Sequence, residues 1–464
     1  MGEPIQIDAL GPAGPYRSRN RRPLTSLSGA QIGEISQVPS LYVHRTIAAM
    51  RAAPVVPGAR RLDALDTAAE LFLTAPLGGL GPDEYVRLVS TASGVPRAVV
   101  RQSVGWIADV LRAQRTTVEL AMPRGAVGDW RDGRTREGAA VWARRGDLFA
   151  VHAAGNTPAV HGLWPEALAL GYKVVVRPSA REPYTAFRLV EALRQAGFPP
   201  ATLTLLPTDH DVADVIIAEA DFAIVYGGQD VVDKYSAIPT VLTQGPGRSK
   251  ILVTADVDWR DSIDIIAGSV SHLGGTACTC ASAVLVEGDP EPLARALAER
   301  LGRIPSLPAD HPDAILTVQP TASVVEVDQY LHKVAGDARP LLGGDTIVDE
   351  LPSGGAVLRP AVHMVDSPRA AQLGVELPFP CVWVGPWRPA DGVAPLRDSL
   401  VLTAMTTRTE LIDALLDEPS IINLYLGDNP TTWLRPGIPH DGYLGEVLMR
   451  TKGMIRTAVE SPAA

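Results

Sequence analysis

The first regular hydrophobic pattern of the chain covers residues 41–115. In the stretch RRLDALDTAAELFLTA, the side chains of Leu62, Leu65, Ala69 and Leu71 recur at intervals that place them near one face of an α-helix. The later stretch TASGVPRAVVRQSVGWIADVLRAQR repeats this spacing, and its Gly-Val-Pro triplet signals the end of one helix and the start of another. We therefore predict a helical segment early in the folded chain.

After residue 147 the pattern changes to short apolar runs that alternate with amphipathic segments. Strands are predicted for DLFAVHAAG, KVVVRPS, TLTLLP and FAIVYGG, and helices for HGLWPEALALG, YTAFRLVEALRQAG and VADVIIAEA. A second alternating block contains the apolar runs SKILVTADVD, SAVLVEG, AILTVQP, CVWVGP and IINLYLGD. This rhythm predicts an α/β fold, with a parallel sheet and crossover helices in the first block.

Three further segments complete the predicted organisation. Residues 1–40 are rich in proline and glycine, carry the basic run RSRNRR, and are expected to form a loosely ordered arm. Asp132 and Gly133 form a hairpin turn signal between strand-like runs. The C-terminal stretch GEVLMRTKGMIRTAV predicts a final strand.

Composition and charge exclude several classes of function. The chain has 464 residues, of which 46% are hydrophobic and 20% charged, so a large core and more than one domain are expected. A formal net charge of −10 disfavours nucleic acid as a partner. We find no apolar run that could span a bilayer and no signal-peptide pattern, and three cysteines suit a reducing compartment, so a cytoplasmic protein without a membrane partner is expected.

The segment GGTACTCASAVLVEG holds two of the three cysteines, Cys278 and Cys280. Zinc sites show paired ligand clusters, and only Cys381 and scattered histidines remain, so no metal site is expected. A disulfide between Cys278 and Cys280 would close a strained loop. Two interpretations stay open, namely buried packing residues beside a strand and a nucleophile. Small residues before Cys278 leave room for a substrate, and the following strand would hold the thiol firmly.

This segment resembles the cysteine motif of the aldehyde dehydrogenase superfamily, Gly-Gln-X-Cys-Thr-X-Gly-Ser followed by an apolar strand. Gly275, Thr279 and Ser282 match the glycine, threonine and serine of that motif, and Cys278 matches its nucleophile. Cys280 falls where the superfamily usually has a small residue. The resemblance implies that Cys278 is catalytic and Cys280 a packing residue, and it extends from about residue 40 to the C-terminus.

Other motifs of the superfamily follow in the same order along the chain. The resemblance of AAGNTPAVHGLWPEALALGYKVVVRPS implies that Asn156 helps to hold an oxyanion and that the Arg-Pro-Ser end meets the adenosine ribose of a nicotinamide cofactor. VYGGQDVV resembles a turn near the pyrophosphate, and VELPFP resembles the Glu-Ile-Phe-Gly-Pro motif that contacts the nicotinamide ribose. The cofactor-binding residues implied in this way are Ala154, Gly155, Arg177, Pro178, Ser179, Arg181, Tyr226, Gly227, Gly228, Gln244, Gly245, Glu376 and Phe379.

The resemblance implies an α/β, aldehyde-dehydrogenase-like fold with three parts. A Rossmann-type dinucleotide-binding domain, preceded by the helical segment, is expected at 41–128 and 147–247. An α/β catalytic domain is expected at 248–448. Strands within 129–146 and 449–464 would form a small β oligomerisation element, so a homodimer or homotetramer is expected.

One departure from the superfamily decides the predicted reaction. Hydrolytic members carry a glutamate base in a Glu-Leu-Gly-Gly-Lys-Ser segment, and the stretch TQGPGRSKILV places Gln244 at that position. A neutral amide cannot accept a proton, and loss of a positioned base costs about 10²–10⁴ in rate. The thioacyl enzyme on Cys278 is therefore expected to have no nearby carboxylate that activates water, and to exchange with another thiol.

We therefore predict NAD(P)H-dependent reduction of an acyl thioester to an aldehyde. The acyl donor would be acyl-CoA or an acyl-carrier protein, and the chain is similar in aspect to the fatty acyl-CoA reductases of bacterial luminescence. The alternative is an NAD(P)+-dependent dehydrogenase that oxidises an aldehyde to an acid or acyl-CoA.

A second departure concerns the choice of cofactor. NAD-preferring members often place a glutamate three residues after the lysine of the ribose segment, where this chain has Ala180 followed by Arg181. Loss of a carboxylate and gain of a guanidinium suit a 2′-phosphate, so NADPH is expected in preference to NADH. Arg181 as a solvated surface residue is the other interpretation.

Overall fold

Residues 5–36 contain five short strands, so the prediction of a loosely ordered arm is wrong for the described part of this segment. The computed structural model describes residues 5–439 and 441–456. Pro12 and Gly29 lie in turns, and the side chains of Ile7, Leu24 and Ile35 are buried, which gives this segment its own apolar contacts. The strands are β1 (Ile5–Ile7), β2 (Ala9–Gly11), β3 (Gly14–Tyr16), β4 (Arg21–Thr25) and β5 (Gln31–Ser36).

The predicted helical segment is present as α1 (Ser40–Ala52), α2 (Gly58–Thr74), α3 (Pro82–Ser93) and α4 (Arg97–Ala121). Gly94 follows α3 in the left-handed conformation (φ 75°), and Pro96 immediately precedes α4. The predicted break between two helices is therefore confirmed. Leu65 and Ala69 of α2 are fully buried, which places the apolar face of this helix in the core.

The elements that follow contain most strands of a first seven-stranded sheet. They are β6 (Ala126–Val127), β7 (Ala139–Arg144), β8 (Leu148–His152), α5 (Pro165–Ala169), β9 (Lys173–Arg177), α6 (Tyr184–Gln195), β10 (Leu203–Leu205), α7 (His210–Glu219), β11 (Phe222–Tyr226), α8 (Gln229–Tyr235) and β12 (Val241–Gln244). The strand order is β12-β11-β8-β9-β10-β2-β3, and β8 to β12 pair in parallel. One face packs with α2 and α6 and the other with α1 and α7, which explains the continuous apolar runs.

The carboxyl ends of the parallel strands lie at one edge of this sheet. The last residues of β8 and β9, His152 and Arg177, are in register, as are Tyr226 and Gln244 at the ends of β11 and β12. The loops after these strands therefore meet at a common edge, where open α/β sheets bind their ligands.

The second block forms a second seven-stranded sheet and a separate two-stranded ladder. Its elements are β13 (Ser249–Val253), α9 (Ile263–Ser271), β14 (Ala281–Glu287), α10 (Glu291–Leu301), α11 (Thr321–Ala335), β15 (Arg339–Leu342), β16 (Val348–Glu350), β17 (Ala356–Leu358), β18 (Ala361–Met364), β19 (Cys381–Trp387), β20 (Ser399–Met405), α12 (Thr409–Leu416) and β21 (Ile421–Leu426). The order is β15-β18-β19-β14-β13-β20-β21, with β15 antiparallel to β18 and the other pairs parallel. The α/β fold predicted for both blocks is confirmed.

Two local predictions are wrong, namely the strand at 314–320 and the hairpin turn at Asp132 and Gly133. The run AILTVQP at 314–320 is an extended loop with one bridge, from Gln319 to Ala356, and its apolar side chains pack in a small separate cluster. Asp132 does not make a hairpin, because its carboxylate accepts a hydrogen bond from the Arg134 N–H and caps a short 3₁₀ turn, Gly133–Arg136.

The C-terminal segment returns to the strand that precedes the first sheet. After α13 (Leu444–Leu448), β22 (Met449–Met454) pairs antiparallel with β7, and β6 pairs with the other edge of β7. The residues 457–464 of the predicted strand segment lie outside the described part of the chain. Among the described helices, none combines the length and the apolar character needed to cross a lipid bilayer.

Candidate active site

A cavity of about 1250 Å³ opens where the loops of the first sheet face the cysteine segment. This volume exceeds that of pockets for drug-sized ligands and suits a dinucleotide together with a second reactant. The structure brings most of the predicted site residues into its wall, namely Ala154, Gly155, Asn156, Ser179, Arg181, Tyr226, Gly227, Gly228, Gln244, Gly245, Cys278 and Glu376.

Cys278 lies in a tight turn just before β14. A hydrogen bond from the Cys280 N–H to the Ala277 carbonyl (2.9 Å) closes the turn, and the Ser249 hydroxyl donates to the Cys278 carbonyl (3.1 Å). The backbone of Gly247 passes so close that a Cβ there would overlap the Cys278 carbonyl oxygen. The position of the nucleophile candidate therefore depends on a glycine from the neighbouring strand segment.

A second glycine, Gly275, joins this turn to the segment that carries the predicted ribose contact. Its φ of 72° favours glycine, and a Cβ there would overlap the backbone of Phe379 and Pro380. Phe379 itself is buried and does not line the cavity, in contrast to the prediction that it binds cofactor. Its place in the structure is against the cysteine turn.

The surroundings of Cys278 favour the protonated thiol. Burial raises the pKa of Cys278 well above its usual range, and the negative charges of Asp441 and Glu376 raise it further, whereas the backbone N–H of Cys278 lowers it. The buried Tyr226 lies beside it and donates its hydroxyl proton to the Val160 carbonyl (3.1 Å). A nucleophile in this position must therefore transfer its proton to a base as it attacks.

Asn156 lies next to the cysteine turn. Its side-chain amide donates to the carbonyl of Thr276 (3.3 Å), two residues before Cys278. Asn156 and Cys278 therefore line the same cavity, with the Asn156 amide held against the segment just before the thiol.

The expectation that no carboxylate lies near the thiol is wrong. Gln244 does line the cavity at the end of β12, but Glu376 and Asp441 line it as well. The Glu376 carboxylate accepts a hydrogen bond from the Arg248 N–H (2.6 Å), and burial raises its pKa to about 7. The site therefore contains a carboxyl group that exchanges its proton near neutral pH, contributed by a segment distant in sequence from Gln244.

The opposite part of the cavity is bare backbone, which fits a dinucleotide. A Cβ on Gly155 would overlap the Ser179 hydroxyl, and a Cβ on Gly227 would overlap the side chain of Val231. Glycine at the ends of parallel strands lets a pyrophosphate approach the main chain closely. The loops after β8, β9 and β11 are therefore suited to hold the phosphates and the adenosine of a nicotinamide cofactor.

The arginines predicted at the adenosine end have protein partners. Arg177 and Pro178 do not line the cavity, because the Arg177 guanidinium is buried and donates to the hydroxyl (3.0 Å) and the carbonyl (3.3 Å) of Thr208. Arg181 lines the cavity, but it also donates to the Ser93 carbonyl (2.5 Å), and burial lowers its pKa. Arg181 is nevertheless exposed to solvent, which agrees with the alternative interpretation of this side chain as a solvated surface residue.

Three histidines lie near the motifs in sequence, and the sequence leaves their contact with the chemistry open. Burial lowers the pKa of His152 and of His161 to about 3, so both are neutral, and neither lines the cavity. His161 accepts a hydrogen bond from the Trp164 indole (3.0 Å), a packing role. His272 lines the cavity, and its carbonyl accepts a hydrogen bond from the Cys280 thiol (3.2 Å).

Two further walls of the cavity were not located from the sequence. One is a face of α4, where Trp106 and Val110 recur at helical spacing, a signal that was available. The other is formed by the irregular segments 432–439 and 441–442, which have no periodic pattern. A third missed residue is Glu166, which accepts a hydrogen bond from the Gly445 N–H (2.9 Å), and burial raises its pKa to about 7.

The three cysteines are free thiols, and the part of the chain described by the structure contains no group of three His, Cys, Asp or Glu side chains arranged to hold a metal ion. In agreement with the fold and the site, residues 27–381 match the model of the aldehyde dehydrogenase family. The chain belongs to the aldehyde dehydrogenase family. The match begins within the N-terminal strands, earlier than the resemblance at about residue 40, and includes Cys278, Asn156, Gln244 and Glu376.

Individual relatives in the family are distant. The chain is 28% identical over 171 residues to malonate-semialdehyde dehydrogenase 1 of Geobacillus kaustophilus, covering 35% of each protein. It is 28% identical over 144 residues to human aldehyde dehydrogenase 1A1, covering 28% of each. The aligned segments thus span about a third of the curated relatives.

Solved structures of the family share the fold over nearly the whole chain. An NAD-dependent aldehyde dehydrogenase from Sinorhizobium meliloti superposes with a TM-score of 0.81 at 20% identity, over 99% of this chain and 96% of that one. The aldehyde dehydrogenase KauB from Pseudomonas aeruginosa gives 0.80 at 16% identity, over 97% and 96%. The predicted aldehyde-dehydrogenase-like fold is confirmed.

Proposed function

We propose that this chain is an NAD(P)H-dependent acyl thioester reductase that forms an aldehyde through a thioacyl enzyme on Cys278. The observation that supports this most is Gln244, a neutral amide that lines the same cavity as Cys278. A hydrolytic member of the family would carry its water-activating carboxylate at this position. The amide at this position cannot deprotonate water, which disfavours hydrolysis by the usual base and favours transfer of the acyl group between two thiols.

The residues around Cys278 support each step of this reaction. As the sulfur bonds to the thioester carbonyl carbon, the thiol proton passes to the Glu376 carboxylate, whose pKa of about 7 suits a base at neutral pH. The Asn156 amide and the Cys278 N–H stabilise the oxyanion. The carbon–sulfur bond to the donor then breaks, and the departing thiolate takes the proton back from Glu376, which leaves the acyl group on Cys278.

The second half-reaction releases the aldehyde. The loops after β8, β9 and β11 would hold the reduced nicotinamide cofactor, which would supply a hydride for the thioacyl carbon. The resulting oxyanion is again stabilised by Asn156 and the Cys278 N–H. Collapse breaks the bond between carbon and Cys278, releases the aldehyde and returns the thiol after protonation.

A second candidate is NAD(P)+-dependent oxidation of an aldehyde to an acid or acyl-CoA. Glu376 and Asp441 line the cavity with Cys278, so a carboxylate other than the residue at position 244 is available to activate water. The names of the relatives, which describe dehydrogenases of malonate semialdehyde and other aldehydes, favour this direction for those proteins.

The test is NAD(P)H consumption with a panel of acyl-CoA and acyl-carrier-protein thioesters, compared with NAD(P)+ reduction by aldehydes with and without coenzyme A. We expect thioester reduction and coenzyme-A-dependent aldehyde oxidation. Cys278→Ala should abolish both, by about 10³-fold or more, because the covalent intermediate is lost. Cys280→Ala is the matched control, since its thiol is buried and donates to the His272 carbonyl.

The variant Gln244→Glu separates the two candidates. If the proposal is correct, it should divert the thioacyl enzyme to hydrolysis, so acid appears from acyl-CoA and the aldehyde yield falls. Acid formation from aldehydes by the unaltered chain, without coenzyme A and at the same rate as with it, would overturn the proposal in favour of the dehydrogenase.

We also propose that the chain acts as a homodimer or homotetramer on a coenzyme A or carrier-protein donor. The oligomer is supported by the small sheet of β6, β7 and β22, which stands apart from both large sheets. Its residues in β22 are largely exposed, so the strand presents an open surface to a second copy. Light scattering of the unaltered chain tests the number of copies.

A further inference from the structure

A smaller cavity of about 480 Å³ adjoins the adenosine end of the active site. One wall is β4 of the N-terminal segment, and the opposite wall contains Ala180 and Arg181, directly after the ribose segment at the end of β9. Arg181 lines both this cavity and the larger one, so the two spaces meet at its side chain. The N-terminal strand therefore reaches the edge of the nucleotide groove.

The side chain that crosses this cavity is Arg22. It is exposed, and its guanidinium donates to the carbonyl oxygen of Ala180 (2.5 Å). Arg177 is near enough for the charge of Arg22 to lower its pKa, after the larger effect of burial. With Arg181 beside Ala180, three guanidinium groups surround the few residues that follow β9.

Arg22 and Arg181 differ from their neighbours in forming no ion pair with a carboxylate of the described residues, whereas the charges of Asp209 and Asp214 act on Arg177. Arg17 and Arg21, from the same N-terminal segment, form ion pairs with Asp8 at 3.0 and 3.3 Å, and Arg21 also pairs with Glu34. Within the described residues, Arg22, Arg177 and Arg181 pair with no carboxylate and donate to carbonyl or hydroxyl oxygens. Clustered cations without ion-pair partners are the arrangement that a bound anion stabilises.

The fold indicates which anion would lie there. In a βαβ unit, the residues after the second strand contact the adenosine ribose, through a carboxylate when the 2′-hydroxyl is free and through an arginine when it is phosphorylated. Here β8, α5 and β9 form such a unit, and Ala180 offers no carboxylate. We propose that Arg22, together with Arg181, binds the 2′-phosphate of NADPH and so determines a preference for NADPH over NADH. This inference rests on the proposed function only in requiring a nicotinamide dinucleotide cofactor.

The test measures binding of 2′,5′-ADP and 5′-AMP to the full chain by calorimetry, with no acyl substrate present. We expect the unaltered chain to bind 2′,5′-ADP at least about tenfold more tightly, as a charge-assisted phosphate contact implies. Arg22→Ala should remove most of that preference and leave 5′-AMP binding unchanged, and Arg22→Lys should restore part of it. The matched control is Arg19→Ala, which removes an exposed arginine from the same segment.

Equal binding of the two probes by the unaltered chain, or an undiminished preference in Arg22→Ala, would overturn the inference. If Arg22→Ala does not fold, Ala180→Glu tests the same contact, because it places a carboxylate beside Arg22. We expect this variant to lose the preference for 2′,5′-ADP, and its retention would equally contradict the inference. Because no acyl substrate is used, these outcomes are independent of whether the chain reduces thioesters.

Discussion

The two ends of the nucleotide groove are built from opposite charges. At the Cys278 end, the ionisable neighbours of the thiol are carboxyl groups, Glu376 and Asp441. At the other end, Arg22 and Arg181 lie beside Ala180, and within the described residues neither forms an ion pair with a carboxylate. The thiol thus has carboxyl groups as neighbours, whereas arginines lie beside Ala180.

This difference indicates how the ligand is oriented. In NADP(H) the 2′-phosphate is at the adenosine end, the pyrophosphate is in the middle and an uncharged or cationic ring is at the reacting end, so the basic end favours the 2′-phosphate. The carboxyl groups near the thiol raise its pKa and disfavour an anion there. Binding and chemistry should therefore respond separately to substitutions at the two ends.

The substitution Gly247→Ala is expected to have the largest effect on the chemistry without an effect on nucleotide binding. The added Cβ would overlap the Cys278 carbonyl, so the turn that holds the thiol must move. A displacement of about 1 Å costs about 10²-fold in rate when it misplaces a reacting group. We expect kcat to fall by this factor while 2′,5′-ADP binding stays unchanged.

Gly268→Ala in α9 is the matched control for this substitution, because a Cβ at that position meets no atom within 4 Å. Calorimetry and steady-state kinetics on both variants check the prediction. A parallel loss of nucleotide binding in Gly247→Ala would show that the two ends are not independent.

A smaller effect, about 10-fold to 10²-fold, is expected for Glu376→Gln on acylation of Cys278. The base must be ionised, so the rate in the unaltered chain should fall as pH decreases through the Glu376 pKa of about 7. The glutamine keeps an oxygen that can accept from the Arg248 N–H but cannot take a proton. The measurement is the pH dependence of the acyl-enzyme burst rate. In Glu376→Gln the fall in this rate through pH 7 should be absent.

The conservative variant Glu376→Asp should retain the pH step at a reduced rate. If Glu376 instead only contacts the nicotinamide ribose, the KM for the cofactor will rise in Glu376→Gln and the pH profile will keep its shape. The same residue thus distinguishes a role in proton transfer from the predicted role in cofactor binding.

The smallest effect concerns stability. Burial raises the pKa of Glu166 to about 7 in the folded chain, whereas an unfolded glutamate has its usual value near 4.5. The folded state therefore holds this proton more tightly, and its contribution to stability is present below about pH 4.5 and is lost as pH rises through 7. Each pKa unit of difference corresponds to about 1.4 kcal/mol.

Glu166→Gln should reduce the fall in the free energy of unfolding between pH 5 and pH 8 by about 2–3 kcal/mol. Glu119→Gln is the control, because Glu119 is solvent-exposed on α4. Urea unfolding at a series of pH values measures the slope, and an unchanged slope in Glu166→Gln would contradict the assignment.

The Cys278 end was predictable from residues close together in sequence, whereas its carboxylates were not. The turn before β14 is a local motif, so small residues, thiol and strand could be recognised together. The proton acceptor was expected only at position 244. Glu376 comes from a segment more than a hundred residues away, and its hydrogen bond to the Arg248 N–H exists only because the two segments pack together.

At the adenosine end, too, the sequence does not show which groups the charged side chains contact. The motif predicts that the segment after β9 contacts the ribose, and in the structure Arg177 donates to Thr208 and Arg181 to Ser93. Arg22 belongs to the basic run RSRNRR, which the proline and glycine content of the segment places in a loose arm. The strands there are only a few residues long, so their alternating apolar positions give a weak signal.

The sequence by itself determined the helices, the two α/β blocks, the identity of the thiol and the amide at position 244, because each depends on periodicity or on neighbours within a few residues. Only the tertiary structure decided which charged groups face the two ends of the groove. Solvation and Coulomb interactions depend on distances in space, and chain segments far apart in sequence supply Glu376, Asp441 and Arg22.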